Sequence, residues 1–470
     1  MTLSRGGDPP TVVSGWIKLE GVFASVLLLA PLLCATAPPA PLAPARVEFV
    51  FGGDVIPHGE VKMSAEDHAR AAPPEKEGEP TRSLNNEGWD HVFGPIADVL
   101  RTADVAVVNL ETPVTDNPKA VTRSLLFNAP SAMARALAAA GVKVVSTGNN
   151  HARDQHLKGM LETLRHLDEA GIHHVGTGAS LEAAWEPVVM EVKGVRFGFL
   201  SFTRWLNGFS NPKDPAEAHV AYVPYPAHSR NRGVSVEQAV ERVRTAAGRC
   251  DVLIVMVHWG SEYMGQPREE EKKLARALID AGAGAVIGHH PHVLQPLEPY
   301  TTAAGRKGLI AYSLGNLVAN QSRFYTYKPG KTDKEGDTRD SMLLRVSWVR
   351  SAEGGAVELG EVSVLPVWIE NNARTRKPKE ARNIQPVLID REVEAITERV
   401  GLLAGRPEPT DRKEKALAKK ERGTLEQRLN THKLRRERIL KMIPEGFAVA
   451  SPALRQRQEP AASVAVQATP

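Results

Sequence analysis

Several features that would give a quick answer are scarce in this sequence. It has only two cysteines in 470 residues. Cys34 lies in an N-terminal apolar run, so a processed chain would keep Cys250 alone and could form no intramolecular disulfide. Stability must then come from the core or from metal. No apolar run reaches the roughly 20 residues of a spanning helix, which excludes a multi-pass membrane protein. No internal repeat is visible. Charge of one sign is scarce too, since 59 basic against 55 acidic residues give a net +4. Between Asp411 and Leu440 there are 11 Lys or Arg against 5 Asp or Glu, a local +6 that leaves −2 for everything else. The body therefore lacks the basic bias of a phosphate-backbone binder, and nucleic acid is not an expected partner. What remains is an ordinary globular balance, 42% hydrophobic and 24% charged, which excludes a wholly disordered chain.

The apolar run spans residues 21–34, with Arg5 and Lys18 before it and Ala35-Thr36-Ala37 after it. This is the layout of a signal peptide with a small-x-small cleavage site. Pro38 is a poor neighbour for cleavage, so an uncleaved N-terminal anchor is the alternative. Leu33 is too bulky for lipid attachment at Cys34. Export is expected either way, with membrane association only through the N-terminus.

From Arg46 to about Val318, short apolar runs alternate with polar turns and amphipathic segments. The runs at 47–51, 105–110, 142–146, 252–257, 285–288 and 309–314 are rich in β-branched residues, as strands buried on both faces require. Leu157, Leu161, Leu164 and Leu167 sit at helical spacing and Gly171 supplies a stop. A second helix is expected from about Arg268 to Ala281. Lys193-Gly194 reads as the turn of a hairpin joining 188–192 to 195–202. Alternating strands and helices predict an α/β body over 46–370, after a leader and Pro/Ala linker at 1–45. Residues 371–450 are expected to form a charged linker and a helical basic extension, with Ile389, Val393, Ile396, Val400 and Leu403 as an apolar stripe. Residues 451–470 read as disordered.

Polar residues collect where the strands end. Asp54 and His58 follow the first, Asn109 and Glu111 the second, Asn149-Asn150-His151 the third, His258 the fourth, His289-His290-Pro291-His292 the fifth and Asn316 the sixth. In α/β sheets, ligands bind outside the carboxyl ends of the strands, so these groups are candidates for one site. Each has a plainer reading alone. An Asp after a strand caps a turn, paired Asn residues tolerate left-handed angles, and a lone His is a satisfied core residue. The ordered set, one polar group per strand end, argues for a built site. Mixed nitrogen and oxygen donors of this kind suit manganese, zinc or iron rather than calcium.

The stretches GGDVIPHG, VVNLETPVT, STGNNHARD, GIHHVGTGAS, VMVHWGSEY, IGHHPHVLQPLE and IAYSLGNL, in that order, resemble the CapA family. These are capsule-biosynthesis proteins linked to poly-γ-glutamate, within the calcineurin-like metallophosphoesterase superfamily. The resemblance covers residues 46 to 320. It implies an α/β four-layer sandwich, two packed mixed β-sheets flanked by helices, followed here by the helical extension. It also implies one or two divalent metal ions on Asp54, Glu111, Asn150, His258, His290 and His292, with His151 facing substrate as acid or transition-state stabiliser. Two departures stand out. Ile56 occupies the place of the superfamily's Asp-x-His histidine, for which His58 is a possible substitute ligand, and Glu111 replaces the bridging Asp.

Asp154 is a candidate for orienting an imidazole, or else an N-cap of the next helix. Asn316 is a possible substrate contact. The loops 66–86, 204–232 and 320–340 are expected to border the site, with Arg323, Lys328 and Lys331 near an anionic substrate. The function implied is an exported metal-dependent phosphoester hydrolase of capsule or envelope polymer biosynthesis. Its partners would be an anionic envelope polymer or phosphorylated precursor and a polymer-synthesis protein in the membrane. The alternative is a non-catalytic polymer-binding or assembly factor on the same scaffold. The basic extension lies outside the resemblance, so removing residues 411–470 is expected to leave metal binding intact.

Overall fold

The computed structural model describes residues 44–71, 86–120, 125–228, 232–326, 334–351, 355–406 and 409–449. The leader run 21–34, the tail 451–470, Lys328 and Lys331 lie outside the described residues.

The β-branched runs form strands in two mixed sheets. The first has the order β16 (Ile384–Leu388), β15 (Val357–Asn371), β14 (Asp340–Arg350), β1 (Ala45–Val55), β2 (Val105–Leu110), β3 (Val142–Ser146), β4 (His173–Val175). β13 (Asn316–Val318) adds to β1, and β17 (Ala448–Val449) to β15. The second runs β11 (Leu297–Thr301), β12 (Lys307–Ala311), β10 (Ala283–His289), β9 (Val252–His258), β7 (Val195–Thr203), β6 (Val188–Val192). A two-stranded piece pairs β5 (Thr177–Gly178) with β8 (His219–Val220). Lys193 and Gly194 turn β6 into β7 with φ of 52° and 76°, the positive pair that a tight hairpin turn demands.

The sheets pack face to face. Phe49 and Phe51 of β1 meet Phe197 and Phe199 of β7 in this inner layer, with ring centroids of Phe49 and Phe197 4.7 Å apart. On the outer face of the first sheet lie α1 (Gly59–Ala71), α2 (Trp89–Thr102) and α3 (Ser131–Ala139), whose apolar sides bury Val61, Trp89, Ile96 and Leu137. α4 (His156–Glu169) follows β3 and buries Leu167; Gly171 ends it at φ 70°. The outer face of the second sheet is covered by α5 (Leu181–Trp185), α6 (Val236–Ala247) and α7 (Glu269–Asp280). The architecture is the expected four-layer sandwich.

The C-terminal region departs from expectation. A boundary after residue 370 falls inside β15, and β16 pairs with β15 as a further strand of the first sheet. Pro386 sits within that strand, so the helix α8 starts only at Ile389 (Ile389–Ala404). α9 (Arg412–Leu440) returns across the body, and Ile389 and Ile439 join the inner core. The described residues thus belong to one compact unit. The sequence concealed this because α9 buries only His432, Arg435 and Ile439 among the described residues, too few for an apolar stripe. The 66–86 segment also differs, since its first part is the end of α1.

The local +6 of the extension is met by acids of the body. Arg428 pairs with Glu370 and Glu392 at 3.1 and 3.0 Å, Arg436 with Asp390, and Arg438 with Asp337 at 2.7 Å. Arg435 is fully buried against Asp340 and Asp337. Removing one partner from a buried pair of this kind costs about 3–5 kcal/mol, because the other charge is left uncompensated.

Glu370 makes the docking sensitive to acid. Burial opposes its charge, but His432 at 3.2 Å, together with Arg428 and Arg339, holds its carboxyl down to about 2. A carboxylate with a lowered folded pKa stabilises above its unfolded value, near 4.5, and that contribution fades as pH falls towards 2. The stability difference between wild type and Glu370→Gln, measured by urea unfolding, should therefore be larger at pH 6 than at pH 3. An equal difference at both would show that the Glu370 charge does not hold the helix.

Candidate metal centre

β1, β2 and β3 run parallel in the first sheet, as do β7, β9 and β10 in the second. Their carboxyl ends meet at one edge of the sandwich. Register brings Asp54 beside Asn109 and Asn316, and His258 beside His289. The approach of β1 to the 313–316 segment depends on Gly53, where a Cβ would lie 2.0 Å from the Gly315 carbonyl oxygen.

Asp54 is at the centre. Its Oδ1 accepts from Asn109 Nδ2 at 2.8 Å and lies 3.1 Å from His289 Nδ1; its Oδ2 accepts from the His290 amide at 3.3 Å and lies 3.3 Å from His292 Nδ1. Glu111 Oε1 lies 3.6 Å from His258 Nε2 and 4.0 Å from Nε2 of both His151 and His292. Two triads of potential ligand atoms result, Asp54–Glu111–His258 and Glu111–His290–His292, with Glu111 common to both. Asn150 adjoins them, its Oδ1 2.7 Å from His258 Nε2. Its Nδ2 donates to Asn207 Oδ1 at 3.1 Å.

Beside the triads, His151 Nδ1 lies 2.7 Å from Asp154 Oδ2, which also accepts the Phe127 amide at 2.7 Å. Asp154 is therefore not the N-cap of α4; Gln155 holds that position. The Phe127 ring lies 4.2 Å from the His151 ring and confines it from one side.

The remaining candidates fall into place around this core. Asn316, expected to touch substrate, is fully buried and bonded within the protein: Oδ1 faces His292 Nδ1 at 3.1 Å, and Nδ2 donates to the carbonyls of His292 and Thr338. It orients His292 instead. His58 belongs to neither triad; its Nδ1 accepts the Asn320 amide at 3.2 Å and its ring stands edge-on to Phe127. Arg323 is paired with Glu60 at 2.8 Å.

Asn109 and His289 stand among the polar groups that the sequence places at strand ends, but the sequence assigns neither a role. Asn109 lies two residues before Glu111 at the end of a strand, so the period of two would have pointed to it. His289 was in view as part of a histidine cluster, but only register shows that its ring reaches Asp54.

Electrostatics fit a cation. Burial, then the charge of Asp54, raises the Glu111 carboxyl well above the usual range. Burial and neighbouring imidazoles push His258 well down and His290 to about 3, so both are neutral with lone pairs to offer. Glu111 Oε1 and His290 Nδ1 are buried without a hydrogen-bond partner. A buried polar atom left unpaired is costly, and a divalent ion would satisfy both atoms. Left-handed backbone at Asn207, Tyr263, His290 and His292 gathers strain at the same place, as functional sites tend to do.

The sequence profile of the family described as "Bacterial capsule synthesis protein PGA_cap" matches residues 48–321, well over half of the chain. The chain belongs to that family. The matched segment contains every ligand candidate of the site and ends before the 334–449 region that completes the first sheet. Among relatives, it is 31% identical to the capsule biosynthesis protein CapA of Bacillus anthracis over 51% of this chain and 56% of that protein. It is likewise 31% identical to the PGA biosynthesis protein CapA of Bacillus subtilis (strain 168), over 60% of this chain and 68% of that protein. A probable polyglutamine synthesis accessory protein of Mycobacterium tuberculosis is 28% identical over 49% of this chain and 60% of that protein. The chain thus spans little more than half of the first relative's length. Among the described residues, no helix is long and apolar enough to cross a membrane.

Metal binding to this candidate site should appear as ligand-linked stability. Mn²⁺ or Zn²⁺ at about 100 times its Kd should stabilise the fold by about 2.7 kcal/mol. Glu111→Gln should abolish that increment, because it removes the carboxylate shared by both triads. Thermal melts with and without metal test this, and an unshifted wild-type melt would count against a metal centre.

Proposed function

We propose that this protein is an exported, divalent-metal-dependent hydrolase that cleaves a phosphoester or related bond in an anionic envelope polymer or its phosphorylated precursor. The observation that carries the reading is the pair of buried ligand triads sharing Glu111, with the His151–Asp154 pair beside them. Asp54, Glu111, Asn150, His258, His290 and His292 would hold the ions. Bound there, such ions would supply Lewis-acid polarisation of a phosphoryl oxygen and a lowered pKa for water.

The chain's own residues do the rest. As a carboxylate, Asp154 accepts a hydrogen bond from Nδ1–H of His151 and fixes the tautomer and tilt of the ring. Nε2 is then left facing the Glu111 side of the site, where it can exchange a proton with a leaving oxygen. Asn316 and Asp54 do the same for His292, keeping its Nδ1 engaged and its Nε2 turned towards Glu111. Phe127 shields the His151 ring from one side.

Export is supported by the signal-like pattern at residues 21–34, and the polymer context by the names of the relatives. A polymer-synthesis protein in the membrane is the partner this reading implies. A second reading, a polymer-binding or assembly factor that holds metal without turnover, is favoured by one observation. Ile56 is buried core where the superfamily has a ligand histidine, and His58 is bonded to Asn320 instead of joining a triad.

The unit from Pro41 onward should be assayed with phosphomonoesters, phosphodiesters and γ-linked glutamate polymers, alongside measurement of bound metal. Turnover lost in Asn150→Ala and His290→Ala, and reduced about 10²- to 10⁴-fold in His151→Ala with metal retained, is the expected result. Full metal occupancy with no turnover on any class favours the binding factor. No bound metal under metal-replete conditions overturns both readings.

A further inference from the structure

α9 lies beyond the family segment, yet it reaches the metal centre by two short routes. Arg435 Nε donates to Asp340 Oδ1 at 2.7 Å, and its Nη2 bonds Asp337 Oδ1 at 2.7 Å and the second oxygen of Asp340. Arg438 adds a further bond to Asp337 Oδ1 at 2.7 Å. Both ends of the 337–340 turn are therefore clamped by one helix. Between them the Thr338 carbonyl accepts from Asn316 Nδ2 at 2.8 Å, and the Oδ1 of that same Asn316 faces His292 Nδ1. The second route follows the backbone. Ser341, next to Asp340, bridges to Gly315, whose carbonyl accepts the Asp54 amide at 2.9 Å. Both routes end on members of the ligand triads.

We infer that Arg435 is a positioning residue of the metal centre: from the C-terminal helix it clamps the 337–340 turn, and through Asn316 and Gly315 it sets where His292 and Asp54 stand. The inference rests on the reading that these residues hold a divalent ion. It reverses the expectation that residues 411–470 are irrelevant to metal binding. A planar guanidinium suits the task because its fork can engage two carboxylates in fixed directions, which an ammonium cannot do.

The competing account is that Arg435 only docks the helix. Arg436 provides the control, since it pairs with Asp390 on α8 and makes no bond to the 337–340 turn. The unit from Pro41 onward should be titrated with Co²⁺, following affinity and the visible ligand-field spectrum, with thermal melts to establish folding. Arg435→Met tests loss of the clamp. Arg435→Lys keeps the buried charge, and therefore the fold, while losing the fork. Both should weaken Co²⁺ binding about tenfold and alter the spectrum, in line with substitutions behind metal ligands generally. Arg436→Met should change neither. Wild-type affinity and spectrum in folded Arg435→Lys would overturn the inference, as would an equal loss in Arg436→Met. A wild-type chain that takes up no Co²⁺ overturns the metal reading first and this inference with it.

Discussion

Two carboxylates, Asp54 and Glu111, stand fully buried at the seam between the sheets, and most of the site's construction answers the charge they bring there. Burying one ionised group is costly and burying two side by side is worse, because each raises the cost of ionising the other. The protein supplies partial compensation through Asn109, the His290 amide and the rings of His289 and His292 on Asp54. Glu111 Oε1 receives none of it. The imbalance is local and one-sided, and a divalent ion held between carboxylate and imidazole donors is the simplest group that closes it.

That arrangement depends on the sandwich. Parallel strands from both sheets deliver their carboxyl ends to one edge, so groups far apart in sequence reach hydrogen-bond distance without long loops. The packed layer of Phe49, Phe51, Phe197 and Phe199 fixes the separation of the sheets, and with it the distance from Glu111 to His258 and His292. His258 and His290 stay neutral because they are buried close to other imidazoles, which keeps their lone pairs available. Strained backbone at His290 and His292 is tolerated there because the surrounding register leaves the chain no other course.

Much of this was legible in the residues. Short β-branched runs marked the inner strands, because strands covered on both faces need continuous apolar sequence. The polar group at each strand end marked the site, because nothing in packing explains a carboxylate or imidazole at every such position. Asp154 was ambiguous, since a carboxylate at that spacing serves equally as a cap or as a partner to His151, and only the distance of 2.7 Å decides between them. Asn316 is hard to read for a related reason: a polar residue at a strand end looks the same whether it faces solvent or, as here, is fully buried. The C-terminal region was the least legible. A helix that docks through ion pairs leaves no hydrophobic period, so its basic face looked like solvated charge.

By itself, the sequence determined the α/β class and the set of side chains from which a metal centre could be built, because these follow from periodicity and from residue types at strand ends; the family came from the resemblance of its ordered motifs. Only the tertiary structure decided which donors meet, that Glu111 is common to both triads, that His58 stands apart from them, and that Arg435 is bound to Asp340 and Asp337. Those facts are distances between residues up to 262 positions apart in the chain, as for His58 and Asn320. Such distances are set by sheet register and by the packing of two layers, which no local pattern of residues contains.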